Sequence, residues 1–532
     1  MYKEAEPMKV RWKKTAAAAL AGLCIVTAAG CGGGDKNAGK KEILIVGVTG
    51  LAATLEPADY AAGQTLIRWG QGETLAKFDK TMHAAPWLAE HWQVADDKLT
   101  WTFTIRDRAK FSNGNKVTAE AVRSSLERTL AKSAEAKRWA RIGSMKAEGQ
   151  TLTIRTKQPL PHLPGVLCDP RFTVIDTSVK DRDIPQRGPV CTGPYTVTSF
   201  AGDKAVLEAN PHYWDGPVPF KGVELPVLAD PHTRAMALKK GQVDAAVDIA
   251  SGDLTLFQDA NTFRVSETES VSSVLSLLNV KPGKPLADKR IRDALIFCLD
   301  RPAYCKTLLK GTFVPGGPVL APGLGYGYDA LMQSYGSRQD VGKSKKLLAE
   351  AGWKDTNRDG FVDKDGKTLE IGFTICTDRA ELPLFAEAVK LDAKNVGIKV
   401  NIKTADRNAL EQARKTGDYD MLIHTGMTTL AGSPLHYLDR NWKSDTNGSN
   451  PQNTSGYRNA AFDALSDALA AEADPAKQKQ MLLDMQKILL DDTAVIVFGY
   501  PKTNIVSRTG MIHADVSPCD DYRITKDWKR KE

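Results

Sequence analysis

Residues 86 to 128 read PWLAEHWQVADDKLTWTFTIRDRAKFSNGNKVTAEAVRSSLER, and this stretch decides the kind of fold. Thr100-Trp-Thr-Phe-Thr-Ile105 alternates polar and apolar residues, which predicts a strand with one buried face. Asn113-Gly114 supplies the positive-φ turn that follows it. From Ala119 to Leu130 the apolar residues change to helical spacing behind a weak cap at Thr118. The stretch is therefore one hairpin feeding one helix. Outward from it, Glu42 to Val48 and Leu152 to Thr156 show the same two-residue period. Helices are expected from about Lys289 to Leu299, restarting beyond Asp300-Arg301-Pro302, where Asp caps and Pro fits a first turn. Further helices are expected over Lys343 to Ala351, Leu382 to Val396, Ala461 to Ala471 and Pro475 to Leu490. Strands and helices mixed along the whole length define an α/β architecture.

At the amino end, Lys9, Arg11, Lys13 and Lys14 precede an apolar run from Thr15 to Gly30, the pattern of a secretory signal. The run closes on Ala28-Ala29-Gly30-Cys31, which resembles a bacterial lipobox and predicts lipidation of Cys31; the alternative is an ordinary signal peptide with an incidental Cys. Gly32-Gly33-Gly34 and the polar residues to Lys41 then form a flexible tether. No later segment has the ~20 consecutive apolar residues that span a bilayer. A body of roughly five hundred residues exceeds one hydrophobic core and predicts two or more lobes. The net charge of +8 is mild and scattered, without the aromatic-interleaved basic patch that nucleic-acid binding needs. Beyond Cys24 and Cys31 no C-x-x-C occurs; Cys168 with Cys191 and Cys298 with Cys305 read either as disulfides or as buried thiols.

The order of motifs in the quoted stretch closely resembles the solute-binding proteins of family 5, the capture components of oligopeptide, dipeptide and nickel ABC importers. Further blocks follow in that family's order: Cys191-Thr-Gly-Pro-Tyr195, Asn210-Pro-His-Tyr-Trp-Asp-Gly216, the segment from Asp230 to Asp244, Ile291-Arg-Asp-Ala-Leu295 and Leu347-Leu-Ala-Glu-Ala-Gly-Trp353. The resemblance implies a two-lobed periplasmic-binding-protein fold with ligand enclosed between the lobes, and two crossing strands, expected near Ser273 to Val280 and Ala494 to Tyr500. The expected organisation is a signal peptide over 1–30, a tether over 31–41, lobe I with an extra subdomain over 42–275, lobe II over 276–497 and a return to lobe I over 498–532. It also implies a monomer with no catalytic activity, lipid-anchored outside the cytoplasm in the periplasm or at the cell surface, that delivers solute to an ABC permease heterodimer and its ATPases.

Within the family, Leu167-Cys-Asp-Pro-Arg-Phe-Thr-Val-Ile175 resembles the nickel branch, in which an Arg before Phe points into the cleft. Arg171 is accordingly expected to clamp a carboxylate, because a guanidinium fork fits it bidentately. Arg138 and Trp139 lie where that branch places an Arg and a Trp, and Thr428 and Tyr437 near its second-lobe aromatic segment. His424 follows the expected strand Asp420-Met-Leu-Ile423 and reads either as a metal ligand or as a strand-end His. No His-x-x-x-His pair is present, so nickel is expected only inside a chelate and not as a bare ion. Peptide binders of the family use a second-lobe Asp for the ligand's amine, and Asp439 stands near that position, which keeps a short peptide as the alternative solute. Asp355, Asn357, Asp359 and Asp363 resemble the opening of a calcium loop, but Gly366 replaces the bidentate Glu at the twelfth position, and a polar hairpin is the other reading. No cofactor is required. Hydrolase motifs are missing, with neither Gly-x-Ser-x-Gly nor His-Glu-x-x-His, and the phosphate-loop-like spacing of Gly34 to Lys40 is followed by Lys41 instead of Ser or Thr.

Overall fold

A computed structural model describes residues 42–180, 182–336, 339–377, 379–429, 432–513 and 516–531; the signal run, Cys31 and the tether lie outside them. One twelve-stranded sheet threads the described body. From one edge its order is Lys399–Ala405, Glu370–Cys376, Met421–Met427, Ser272–Leu278, Val495–Arg508, Ala245–Val247, Ile43–Gly47, Gly222–Pro226, Lys204–Ala209 and Tyr195–Phe200. Phe263–Glu269 and Phe313–Pro315 pair with Val495–Arg508 off this path. Helices such as Lys289–Cys298, Glu381–Asn395 and Pro475–Asp491 close the second half of the sheet, in an α/β arrangement of the two-lobed type.

The strand Val495–Arg508 belongs to both halves. Its first part pairs with Ser272–Leu278, through Leu275 opposite Val497, and its last part with Phe263–Glu269, through Val265 opposite Val506. Between these two ladders the Ser270 amide donates to the Pro501 carbonyl at 3.1 Å. The apolar runs expected as crossings lie largely within these two paired strands. Pro501 stands beyond the end of the Ser272–Leu278 ladder, at Gly499, and opposite Phe313 at the end of the short Phe313–Pro315 ladder.

The quoted hairpin builds a separate four-stranded sheet, ordered Ala89–Val94, Thr100–Ile105, Thr151–Thr156 and Ile142–Glu148. Trp92 lies opposite Phe103, and Thr102 opposite Thr153. The helix Ala119–Lys132 begins where Thr118 Oγ1 accepts the Ala121 amide at 3.2 Å. Its buried Val122 and Leu126 pack with Phe103, Leu152 and Ile154 into one core.

Several motif residues prove to be framework. Thr192, Tyr213 and Trp214 all donate to the buried Glu73 carboxylate, at 2.8, 3.2 and 2.7 Å. Gly193 is required there, because a Cβ would meet the Gln71 carbonyl oxygen at 2.6 Å. Arg292 donates to the carbonyls of Leu286, Ala287, Asp492 and Thr493, tying the start of its helix to the approach of the long strand. Cys168, Cys191, Cys298, Cys305, Cys376 and Cys519 are buried free thiols, so neither disulfide pairing forms.

Candidate functional site

Two segments far apart in sequence meet face to face. Ser133 starts the short helix Ala134–Ala140 by accepting the Ala136 amide at 3.2 Å, and this helix carries Glu135, Arg138 and Trp139. Asp169 starts the turn Pro170–Phe172 and so fixes Arg171. From the other half, Ser433 and Pro434 open the helix Pro434–Trp442, which carries His436, Tyr437 and Arg440. The approach is close: a Cβ on Gly165 would stand 3.2 Å from Gly432 Cα.

Trp139 forms the centre of this junction. The Arg171 guanidinium lies 4.3 Å from its ring centroid, and the His436 ring stacks on it at 5.9 Å with 19° between planes. His162, just before the helix Leu163–Val166, brings Nε2 to 3.2 Å from His436 Nε2. His424 stacks on Tyr437 with centroids 6.4 Å apart. Burial pushes all three imidazoles toward the neutral form, His162 down to about 4 and His424 down to about 3, with neighbouring guanidinium groups adding to the effect. Neutral imidazoles keep a lone pair for a metal or a donor.

Arg171 differs from the open clamp expected of it. Its Nε and one terminal nitrogen donate to Asp169 at 2.8 and 2.9 Å, and its other terminal nitrogen to Glu135 at 2.5 Å. The fork is thus filled by the protein's own carboxylates, and only Glu135, with its side chain 42% exposed, is placed to give way to a ligand. Arg138 is exposed and lies 3.8 Å from Glu135. Tyr437 is buried, its hydroxyl 3.4 Å from Ser273 Oγ. Thr428 is fully buried, donating to the Val271 carbonyl at 2.9 Å and accepting the Ala321 amide at 3.1 Å, so in this structure its hydroxyl is engaged by the fold.

His162, His436, Glu135 and Asp169 were absent from the expected set. The Asp169-Pro-Arg171 spacing carried a signal, since an Asp capping a turn also stands within reach of an Arg two residues on. For the His pair there was none, because its members are 274 residues apart. Asp439 accepts from Ser466 Oγ at 2.6 Å, and burial pushes its carboxyl up to about 6. In the calcium-like loop, Asp363 accepts from both Thr356 groups, and Asp355 and Asp359 accept the Gly360 and Phe361 amides. These carboxylates cap their own hairpin, Asp363–Lys364 against Lys367–Thr368, and among the described residues no group of three or more His, Cys, Asp or Glu is gathered for a metal. Away from the junction, a cavity of about 310 Å³ lies between Phe78, Trp87, Tyr213 and Tyr522.

Comparison with known proteins gives a consistent result. The family model described as bacterial extracellular solute-binding proteins, family 5 middle, matches residues 83–449. The nickel-binding protein NikA of Staphylococcus aureus is 24% identical over 464 residues, covering 86% of this chain and 90% of that protein. The probable D,D-dipeptide-binding periplasmic protein DdpA of Escherichia coli is 25% identical over 490 residues, covering 86% and 88%. Among solved structures, S. aureus NikA in complex with Ni(L-His)2 superposes with a TM-score of 0.77 at 22% identity, covering 92% of this chain and 100% of that one. DppA of Helicobacter pylori in complex with the peptide STSA gives 0.76 at 20% identity, covering 92% and 98%.

Proposed function

This chain belongs to the bacterial extracellular solute-binding proteins of family 5, and on that footing we propose that it captures a divalent-metal chelate, with nickel as the metal, for an ABC importer while anchored to the membrane through Cys31. It is a binding protein and not an enzyme. Among the described residues no helix is long and apolar enough to cross a membrane; the lipid on Cys31 and the tether to Lys41 would provide the attachment.

The observation that carries the ligand reading is the Trp139 ring, held between Arg171 of one half and His436 of the other. A chelate supplies its own metal ligands and asks the protein for a flat aromatic wall, cationic groups and neutral donors. Those are the groups that converge here. The peptide alternative needs an acidic anchor for an ammonium group, and the carboxylate expected in that role, Asp439, is bonded to Ser466 and held up by burial. Nickel-binding relatives exist at the same level of identity as the dipeptide-binding one, so support for the chelate reading comes from the residues at the junction. Capture proceeds by closure of the halves, which the ligand favours only through what it touches better in the closed form.

Calorimetry of the protein with nickel alone, nickel–L-histidine, nickel–citrate and a di- to pentapeptide mixture tests the reading. Heat is expected from a nickel complex and not from peptides. Tight peptide binding with no response to either nickel complex overturns it.

A further inference from the structure

We infer that the end of the long sheet at which the chain enters the body is a docking face for anionic phospholipid headgroups, and that it sets how the anchored protein lies on its membrane. The inference rests on the Cys31 anchor proposed above and does not depend on the solute.

Topology gathers the charge. Ile43–Gly47 and Gly222–Pro226 run parallel and start level, with Ile43 opposite Gly222 and Lys221 just before it. The Asp244 amide donates to the Ile45 carbonyl, which brings the end of the helix Pro231–Lys239 and the turn Lys240-Gly241 to the same end of the sheet. Val495–Arg508 runs the other way and finishes there, its Arg508 amide donating to the Asp244 carbonyl at 3.2 Å. The hairpin of Met511–Ile512 with Lys529–Arg530 follows at once, and the Lys531 amide donates to the Gly510 carbonyl at 2.9 Å. Lys221, Lys239, Lys240, Lys529 and Lys531 therefore share one end of one sheet.

Two arginines hold this surface in shape. Arg508 donates to the Lys239 carbonyl at 3.1 Å and lies 5.7 Å from the Phe263 ring centroid, while Arg530 lies 5.5 Å from that of Phe220, beside Lys221. Lys221 pairs with Glu42 at 2.7 Å. Lys239, Lys240, Lys529 and Lys531 are exposed, and among the described residues none of the four is paired with a carboxylate. The opposite end of the same strands, just past Pro226, carries the acidic Asp203 and Asp230.

Glu42 is the first described residue and stands eleven positions after Cys31. Eleven residues reach at most about 40 Å. The covalent link thus keeps the body near the bilayer without choosing the face it turns. Unpaired lysines beside the point of entry make that choice, because each gains from an anionic surface within a Debye length. Their apolar stems can lie on the protein while the ammonium groups reach the headgroups.

Lysine footprinting by mass spectrometry tests this on the full chain as its cells process it, bound to vesicles of phosphatidylcholine alone or mixed with phosphatidylglycerol. Acetylation of Lys239, Lys240, Lys529 and Lys531 should slow at least threefold on the anionic vesicles and recover in high salt. Lys345 and Lys346, exposed on the helix Val341–Glu350, should label equally on both. A variant with all four lysines changed to Gln should melt as the parent does and lose the parent's preference for anionic vesicles in co-sedimentation. Equal labelling of the four on both kinds of vesicle, or a variant that keeps the preference, overturns the docking face and leaves the anchor standing. A parent that does not sediment with phosphatidylcholine vesicles overturns the anchor; the docking face then stands only if the parent still sediments with anionic vesicles and the variant does not, and otherwise falls with it.

Discussion

Arg171 and Asp169, two residues apart on one turn, share two hydrogen bonds of 2.8 and 2.9 Å while both side chains are only 3% exposed. Removing one member of such a pair strands the other charge away from water, at a cost of about 3–5 kcal/mol. Asp169→Ala should therefore lower stability by about that amount in urea denaturation. Glu135→Ala, which removes a half-exposed partner of the same Arg, should cost less than about 1 kcal/mol. Equal costs for the two variants would refute this division of labour.

Glu135 is also the carboxylate that a ligand would displace from Arg171. Glu135→Gln keeps the size of the side chain and removes its charge. An anionic chelate should then bind several-fold more tightly, read by calorimetry with nickel–citrate. Weaker binding by this variant would mean that Arg171 does not receive the ligand.

Gly165 and Gly432 bring the two segments of the junction into backbone contact, a Cβ on Gly165 standing 3.2 Å from Gly432 Cα, and closure of the halves is expected to depend on it. Gly165→Val places methyl groups where the opposing backbone already lies, while the packing within each half is left largely alone. Affinity for the solute should fall tenfold or more, and small-angle scattering should show the ligand-induced compaction of the parent missing from the variant. Unchanged affinity would show that ligand is held without this contact.

Burial alone would raise the carboxyl of Glu56, but bonds from Arg128 and Lys132 outweigh it and hold the pKa down to about 2 from 4.5. A depressed folded value means that the stabilisation is complete above about pH 4.5 and is lost as pH falls toward 2. Allowing for solvent screening, Glu56→Gln should cost about 1–2 kcal/mol at pH 7. The gap between parent and variant should close near pH 2 in denaturation measurements across this range. A gap independent of pH would assign the effect to packing.

Cys31 should carry the lipid, on the strength of the small residues before it and the Gly-rich tether after it. Metabolic labelling with a fatty-acid analogue should mark the parent and not Cys31→Ala, and the variant should leave the membrane fraction. Labelling that survives the substitution would place the modification elsewhere.

The sequence made the elements legible where local chemistry dictated them. Thr118, Asp300 and Asp474 cap the helices expected behind them, and Thr100–Ile105 shows in its burial the alternation read from its residues. Shorter elements escaped notice: Ala134–Ala140 and Pro434–Trp442 have too few turns for a periodic pattern to stand out, and both carry site residues. Within the site, the type of residue at 139 and 171 could be read, but not that Asp169 and Glu135 already occupy the Arg171 fork. The His162–His436 contact is a product of tertiary closure and leaves no trace in local spacing. Thr192, Tyr213 and Trp214 stood out as motif residues, yet their common purpose, holding the buried Glu73, appears only once the chain is folded.

The strand Val495–Arg508 has a further consequence, for the order of assembly during synthesis. Ala245–Val247 waits for partners made about 260 residues later, Phe263–Glu269 for partners about 240 residues later, and Ser272–Leu278 for partners more than 200 residues later. A nascent chain leaving the ribosome amino end first therefore holds two unfinished sheets, each with an unpaired edge at the place the last strand will fill. Neither half can complete its ladder before the other, so late synthesis of one segment makes their maturation a single event. Closing loops of this length is slow compared with forming local hairpins. Until that segment arrives, the open edges are surfaces on which unfinished chains can pair with one another.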